Sequence, residues 1–253
     1  MKKFFRLMLA VAAVSVTLVS CKKGPDDPGF SFRSRTSRVS GDWAINTFTY
    51  DTTTVTTPAT GGNIKTERYT YSESGTSATL VYTRTVGSNT TSNTTPITIN
   101  SHTISFDSDG NVTRKINFTY KDTLINGNYT QISTITEDLV EIGNWNFTGG
   151  VGDPSDMEYM NISYTSVTDK FNVSTVTTFG SSSQTSTSAT SDTRTYGPNQ
   201  RVSTFHILRC ANDELILEMT INSTRSGSST SGSTTVNEDT KTSTGNVLIK
   251  LKQ

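Results

Sequence analysis

The amino-acid sequence predicts an all-β protein built as an antiparallel up-and-down meander, on three observations. Thr- and Ser-rich alternations such as Thr47-Phe48-Thr49-Tyr50 and Thr79-Leu80-Val81-Tyr82-Thr83 set β-branched and aromatic residues at a period of two, as pleated strands require. Beyond the N-terminal segment, no stretch sustains the apolar period of a helix. Tight turn signals recur between the alternating runs: Glu73-Ser74-Gly75, Asp107-Ser108-Asp109-Gly110-Asn111, Asn126-Gly127 and Ala211-Asn212-Asp213. Successive hairpins make neighbours antiparallel, because parallel ones need long crossovers.

Taken in order, the predicted strands are Trp43 to Tyr50, Ile64 to Tyr71, Ala78 to Val86, Ile97 to Phe106, Val112 to Tyr120 and Tyr129 to Thr136. They continue with Trp145 to Thr148, Tyr159 to Thr165, Phe171 to Phe179, Val202 to Arg209, Leu215 to Ile221 and Val247 to Leu251. The long connectors Asp51 to Asn63, Gly87 to Pro96, Gly149 to Asp156, Gly180 to Thr193 and Thr224 to Gly245 each follow an odd-numbered strand. In an up-and-down meander they gather mainly at one rim, while most tight turns close the other. The tight Asn126-Gly127 turn follows the fifth strand and departs from that rule.

The N-terminus predicts an address. Lys2, Lys3 and Arg6 form a positive segment ahead of Leu7 to Leu18, an apolar run shorter than the ~20 residues of a membrane-spanning helix. Leu18-Val19-Ser20-Cys21 then resembles a bacterial lipobox. The resemblance implies that residues 1–20 are a removed signal peptide and that Cys21 carries the lipid. Each buried methylene contributes ~0.8 kcal/mol, so two or three acyl chains make a stable anchor. An ordinary secretory peptide with a chance cysteine is the alternative. Residues 21–40 are expected as a flexible tether and 41–253 as a single domain.

Cysteine usage follows. The chain has two cysteines, so a lipidated Cys21 leaves Cys210 without an intrachain disulfide, and stability must come from a core. Cys210, at a strand end, reads as a small half-buried hydrophobe. Basic and acidic residues balance at 22 each, which supplies no field for nucleic acid. Strands bearing Ser, Thr and Arg offer no outward apolar band, which argues against a transmembrane barrel.

Chemical constellations are scarce, and no enzyme, cofactor or metal is expected. His102 and His206 are the only histidines and read as ordinary strand residues, without metal-ligand spacing. Asp107 to Asn111 has an acidic loop composition, yet its Gly and the residue at the loop's end depart from the EF-hand pattern, so a hairpin turn is expected. Asp138, Glu141, Asp153, Asp156 and Glu158 read as solvated loop charges, with paired carboxylates for glycoside hydrolysis as the sharper alternative. No Gly-x-Ser-x-Gly elbow or phosphate-binding loop occurs.

Ser40-Gly41-Asp42-Trp43, opening the first strand, resembles the Gly-x-Trp motif of lipocalins. With the lipobox, the Asp107 to Asn111 hairpin and Gly143-Asn144-Trp145-Asn146-Phe147, the pattern is similar to lipocalin-like lipoproteins of the Bacteroides group. The resemblance implies a lipocalin-like β-barrel, with Trp43 packed across its closed end beneath Arg209 in a cation-π contact. It departs in length, in strand number and in the second Gly-x-Trp, which leaves two smaller β domains open. Within the same group, Asp51-Thr52-Thr53 and Asp122-Thr123-Leu124 resemble O-glycosylation sites, which makes Thr52 and Thr123 candidate acceptors.

Two functions are then expected. One is non-catalytic binding of a small apolar or amphipathic ligand in a cavity lined by Trp43, Tyr82, Phe106, Phe118 and Tyr164. The other is a surface, assembly or adhesion protein with a packed barrel, whose Ser/Thr-rich loops meet a protein or glycan. An interior void of a few hundred cubic ångströms discriminates between them. The expected location is the cell envelope, lipid-anchored at the outer membrane, its periplasmic or surface face left open. The anchored end is expected to be the one Trp43 closes.

Overall fold

The computed structural model describes residues 35–149, 158–198, 200–211, 213–226, 228–231, 234–237 and 239–253. Cys21, the signal segment and most of the tether lie outside them. A short helix α1 (Arg35–Val39) precedes β1 (Gly41–Thr57), β2 (Lys65–Ser74), β3 (Ser77–Val86), β4 (Asn89–Phe106), β5 (Asn111–Asn126), β6 (Tyr129–Gly149) and β7 (Glu158–Phe179). β8 (Ser182–Thr195), β9 (Val202–Cys210), β10 (Glu214–Arg225), β11 (Ser228–Ser231), β12 (Thr234–Asn237) and β13 (Thr240–Lys252) follow. The protein is all-β, and eleven of its strands form one antiparallel sheet.

That sheet closes on itself. β1 pairs with β13 along its whole length, from Ala44↔Lys252 to Thr57↔Thr240, and its first residues also pair with β4, from Gly41↔Phe106 to Ala44↔Thr103. Together with the β4–β5, β5–β6, β6–β7, β7–β9, β9–β10 and β10–β13 ladders, this makes an up-and-down ring of eight strands. Three excursions interrupt the ring: the β2–β3 hairpin between β1 and β4, β8 between β7 and β9, and the separate β11–β12 hairpin. The ring is closed at the Trp43 end. Away from it, β2, β3 and β8 widen the sheet into a flare whose free edges are β8 and the outer half of β10.

The strands run much farther than the alternating runs alone predict. β6 has 21 residues and β7 has 22, each ~70 Å of extended chain at ~3.3 Å per residue. Most of the expected connectors Asp51 to Asn63, Gly87 to Pro96, Gly180 to Thr193 and Thr224 to Gly245 are strand, and they extend to the rim opposite Trp43. Threonine is β-branched, and hydroxyls facing each other across the ladder bond in pairs: Thr85–Thr90 at 3.0 Å, Thr83–Ser92 at 3.1 Å and Thr168–Thr193 at 3.1 Å. Primed hairpin turns with Gly87 (φ 59°), Gly127 (φ 59°) and Gly180 (φ 58°) as their first central residue join these extensions.

The sixth and seventh predicted strands are one strand, β6, and so are the eighth and ninth, β7. Gly143 lies within β6 opposite a bulge at Thr165 of β7, where the register slips, and a Cβ on it would lie 2.0 Å from the Ser163 carbonyl oxygen. The merger changes the strand count, so Gly149 to Asp156 connects strand ends on the Trp43 side. The turn at Gly127 takes its place on the far rim.

At the closed end the inward side chains fill the barrel. Trp43, Phe106, Trp145, Met160, Leu215 and Leu251 are among the members of one buried cluster, which draws both Gly-x-Trp motifs into a single core. Phe106 meets Trp145 edge-on at 5.5 Å between centroids. Trp43 Nε1 donates to the Val39 carbonyl at 2.8 Å, and Trp145 Nε1 to that of Asp107 at 3.0 Å. The last residues of the expected tether are therefore folded. Val39 is fully buried beneath the barrel, and Arg38 donates to the Cys210 carbonyl at 2.5 Å.

Candidate functional site

Above this base the packing stops. A cavity of about 260 Å³ is bounded by residues from all eight ring strands, among them Phe48, Ile104, Arg114, Glu141, Tyr164 and Met219. A second, of about 340 Å³, continues along the inner face of the flare between Tyr71, Ile97, Phe118, Glu137 and Leu139. Both are lined by Phe48, Tyr50 and Arg114, so they adjoin at these side chains, one in the barrel and one toward the mouth, and together make up a two-part trough. A larger depression of about 420 Å³ lies on the outer face around the exposed Asp51–Arg68 ion pair. It is shallow and polar, and the trough is the better binding geometry because it combines concavity with apolar walls.

A chain of buried polar groups runs beside the trough and reaches its wall at Tyr71, Arg114, Glu141 and Arg201. Tyr71 Oη donates to Glu73 at 2.9 Å, and both carboxylate oxygens of Glu73 lie 2.9 Å from His102 Nδ1. Arg114 Nε donates to His102 Nε2 at 2.9 Å, and Arg114 Nη1 donates to Glu141 at 2.8 Å. Arg201 Nη2 binds the other oxygen of Glu141. Glu73 and Glu141 are essentially inaccessible to solvent and His102 is 5% exposed. Since an arginine Nε only donates, His102 Nε2 must accept, which places the ring proton on Nδ1 facing Glu73. Burial lowers the His102 pKa and Arg114 opposes a second charge, against the pull of Glu73. His102 is held neutral.

The guanidiniums also meet rings. Arg114 stands 5.5 Å from the Phe48 centroid, and Arg201 lies 5.8 Å from that of Tyr164 and 5.4 Å from that of Tyr196. Burial holds the Tyr164 hydroxyl up at a pKa of about 12, so it remains a neutral donor.

Toward the mouth, Glu137 on β6 and Asp169 on β7 bring two carboxyls together on the inner face. Burial, the neighbouring Asp169 charge and a hydrogen bond with it push Glu137 up to about 7. Asp169, 6% exposed, is also raised, chiefly by burial, and its Oδ1 has no hydrogen-bond partner among the described residues.

The expected site residues are divided by the fold. Tyr164 and Phe118 line the trough. Phe106, like Trp43, lies below it in the packed base, because Trp145 and its neighbours fill that end. Tyr82 stands on β3 away from both cavity walls, tilted against Tyr69 at 4.7 Å and donating to Glu67 at 2.8 Å. Arg209 Nε is 2.6 Å from Glu214 across the β9–β10 turn, and Arg38 is the guanidinium buried at the closed end. Thr52 is buried and donates to the Thr244 carbonyl at 3.3 Å, which leaves a sugar no room there; Thr123 is exposed. Cys210 is fully buried, more than the half-burial expected. Asp107 makes the hairpin turn, accepting from the Asp109 and Asn111 amides at 2.9 and 2.7 Å.

His102, Arg114, Glu141 and Arg201 carry the polar chemistry, and sequence reasoning passed over their association. Glu73 and Arg201, 128 residues apart, join one relay only through strand pairing, with Arg114 facing Glu141 across the β5–β6 ladder. The available signal was a Glu, a His and an Arg at inward positions of strands that otherwise alternate with apolar residues. Compared with protein-family models, curated proteins and solved structures, the chain matches none of them.

Proposed function

We propose that this chain is an exported lipoprotein, anchored through Cys21 at the outer membrane, whose lipocalin-like barrel binds a small apolar or amphipathic molecule without catalysis. The observation that carries the reading is the pair of adjoining cavities, the inner one bounded by every ring strand, walled by Phe48, Tyr50, Tyr71, Phe118 and Tyr164. A barrel serving only as a rigid spacer gains stability by filling such a space, since interiors pack to near-crystalline density. Thirteen residues separate Cys21 from α1, so the closed end faces the anchoring membrane and the mouth points away.

Mass spectrometry of material co-purified from the native host tests the binding reading, with a reproducible stoichiometric small molecule as the expected result. Replacing Cys21 by Ser tests the anchor: the protein should move from the membrane to the soluble fraction. A specific observation favours the second reading, contact with a protein or glycan partner. Strand β8 is exposed throughout its 14 residues and offers a free edge of Ser and Thr. Stoichiometric protein or glycan partners in the same purification, without a small ligand, would favour it.

A further inference from the structure

The trough holds charged groups that bear on which head group an amphipathic ligand carries. Two guanidiniums, Arg114 and Arg201, suggest an anion at first sight. Both already hold a carboxylate supplied by the protein, because Glu141 gives one oxygen to each. Arg114 is further committed to His102. Glu73 in turn accepts from Tyr71 and meets the His102 ring, which leaves Glu137 and Asp169 as the inner-face carboxyls that neither guanidinium holds.

These two lie at one place. Glu137 lines the outer cavity beside Phe118 and Leu139, and its carboxyl meets that of Asp169. Asp169 has a buried oxygen that no described residue satisfies. A buried acceptor without a donor is costly, and a pair of carboxyls at close range accommodates either a shared proton or an external cation. The outer cavity that Glu137 lines is also walled by Phe48, Tyr50, Tyr71 and Phe118, and the faces of such rings attract alkylammonium groups.

We propose that the trough selects amphipathic organic cations, seating a ligand ammonium between Glu137 and Asp169 with its apolar tail running past Phe118 and Phe48 toward the barrel base. The inference rests on the ligand-binding reading and adds the head group to it. The charged and titratable groups facing the pair are Arg114 and Tyr120 from β5 and Asp192 and Arg194 from β8, the last two paired to each other at 3.0 Å. A bound ammonium competes with the proton Glu137 holds, so binding strengthens as the medium is made more basic, until the ligand itself loses its charge.

Isothermal titration of the full chain with octylammonium, octanol and octanoate, equal in tail and different in head, tests this. Octylammonium should bind at least about tenfold tighter than octanol at about pH 8, and its advantage should shrink severalfold at about pH 6. The double variant Glu137→Gln/Asp169→Asn should bring the two affinities together. The pH comparison needs no variant, so a misfolded double variant does not rescue the idea. Octanoate binding as well as octylammonium, or an ammonium preference that survives in the folded double variant, overturns the head-group inference alone. Failure of all three probes to bind overturns the binding reading with it.

Discussion

Arg114 donates its Nε–H to His102 Nε2 at 2.9 Å, an arrangement that uses a permanent cation to keep a buried histidine uncharged. The ring turns its only proton toward Glu73, so one carboxylate is satisfied by a neutral donor and Tyr71, while Glu141 neutralises the guanidinium. Each charge has a partner only because ring strands β4, β5 and β6 contribute one residue apiece, β2 contributes Tyr71 and Glu73, and the segment before β9 contributes Arg201. Removing any member leaves a buried group unpaired.

Glu141→Ala should therefore be among the most damaging single changes in the trough. It strips Arg114 and Arg201 of their shared carboxylate, and breaking a buried ion pair by removing one partner costs roughly 3–5 kcal/mol. Urea unfolding of both proteins checks this, with a markedly lowered midpoint and unchanged slope as the expected result.

His102 predicts an acid limit. Its folded pKa lies below its ordinary value because burial disfavours the imidazolium, so the unfolded chain takes up a proton that the folded one refuses. The contribution is intact above about pH 6.5 and is lost as pH falls toward the folded pKa. In His102→Gln, whose amide can still donate to Glu73 and accept from Arg114, stability should fall less between about pH 7 and 5 than in the parent. Denaturation midpoints across that range measure the difference.

Glu137 predicts the opposite slope. Its folded pKa, raised to about 7, exceeds the ordinary carboxyl value, so its contribution is whole below about pH 4.5 and is lost as pH rises through about 7. Glu137→Gln should be more stable than the parent at about pH 8, and that advantage should vanish at about pH 4. Equal midpoints at the higher pH would contradict the burial of this carboxyl.

Gly143→Ala should cost about 3 kcal/mol or more, since the new methyl meets backbone that cannot rotate away: the Ser163 carbonyl oxygen at 2.0 Å and the Tyr164 Cα at 2.7 Å. Gly180→Ala, at φ 58° with open space around it, should cost only the ~1–2 kcal/mol of a left-handed alanine. Thermal unfolding of the two variants side by side separates steric closure of β6 on β7 from simple turn strain.

Trp43→Phe keeps a ring in the base core and removes the Nε1–H that holds the Val39 carbonyl, about 1 kcal/mol of hydrogen bonding. The helix α1 should then open more often. Limited trypsin digestion after Arg38 should be faster than in the parent while the global unfolding midpoint moves little.

The all-β class, the antiparallel order and the tight turns at Gly75, Gly110 and Gly127 were legible in the sequence by itself, because a period of two and turn residues such as Asn126-Gly127 act locally, whereas the hairpins at Gly87 and Gly180 were hidden in tracts that read as long loops. The Gly-x-Trp resemblance further implied that Trp43 packs across the closed end. Sequence alone did not show that Ser/Thr tracts resembling loops are strands, since hydroxyl pairs such as Thr85–Thr90 become favourable only when a partner strand is present. It also could not bring Glu73, His102, Arg114, Glu141 and Arg201 together. Their meeting is set by the ladders: Arg114 faces Glu141 across β5 and β6, the β1–β4 pairing sets β2 with Glu73 beside β4 with His102, and the β6–β7 and β7–β9 pairings carry Arg201 to Glu141. Side-chain chemistry names the candidates locally; closure of the sheet decides which of them share a low-dielectric interior, and hence which are charged.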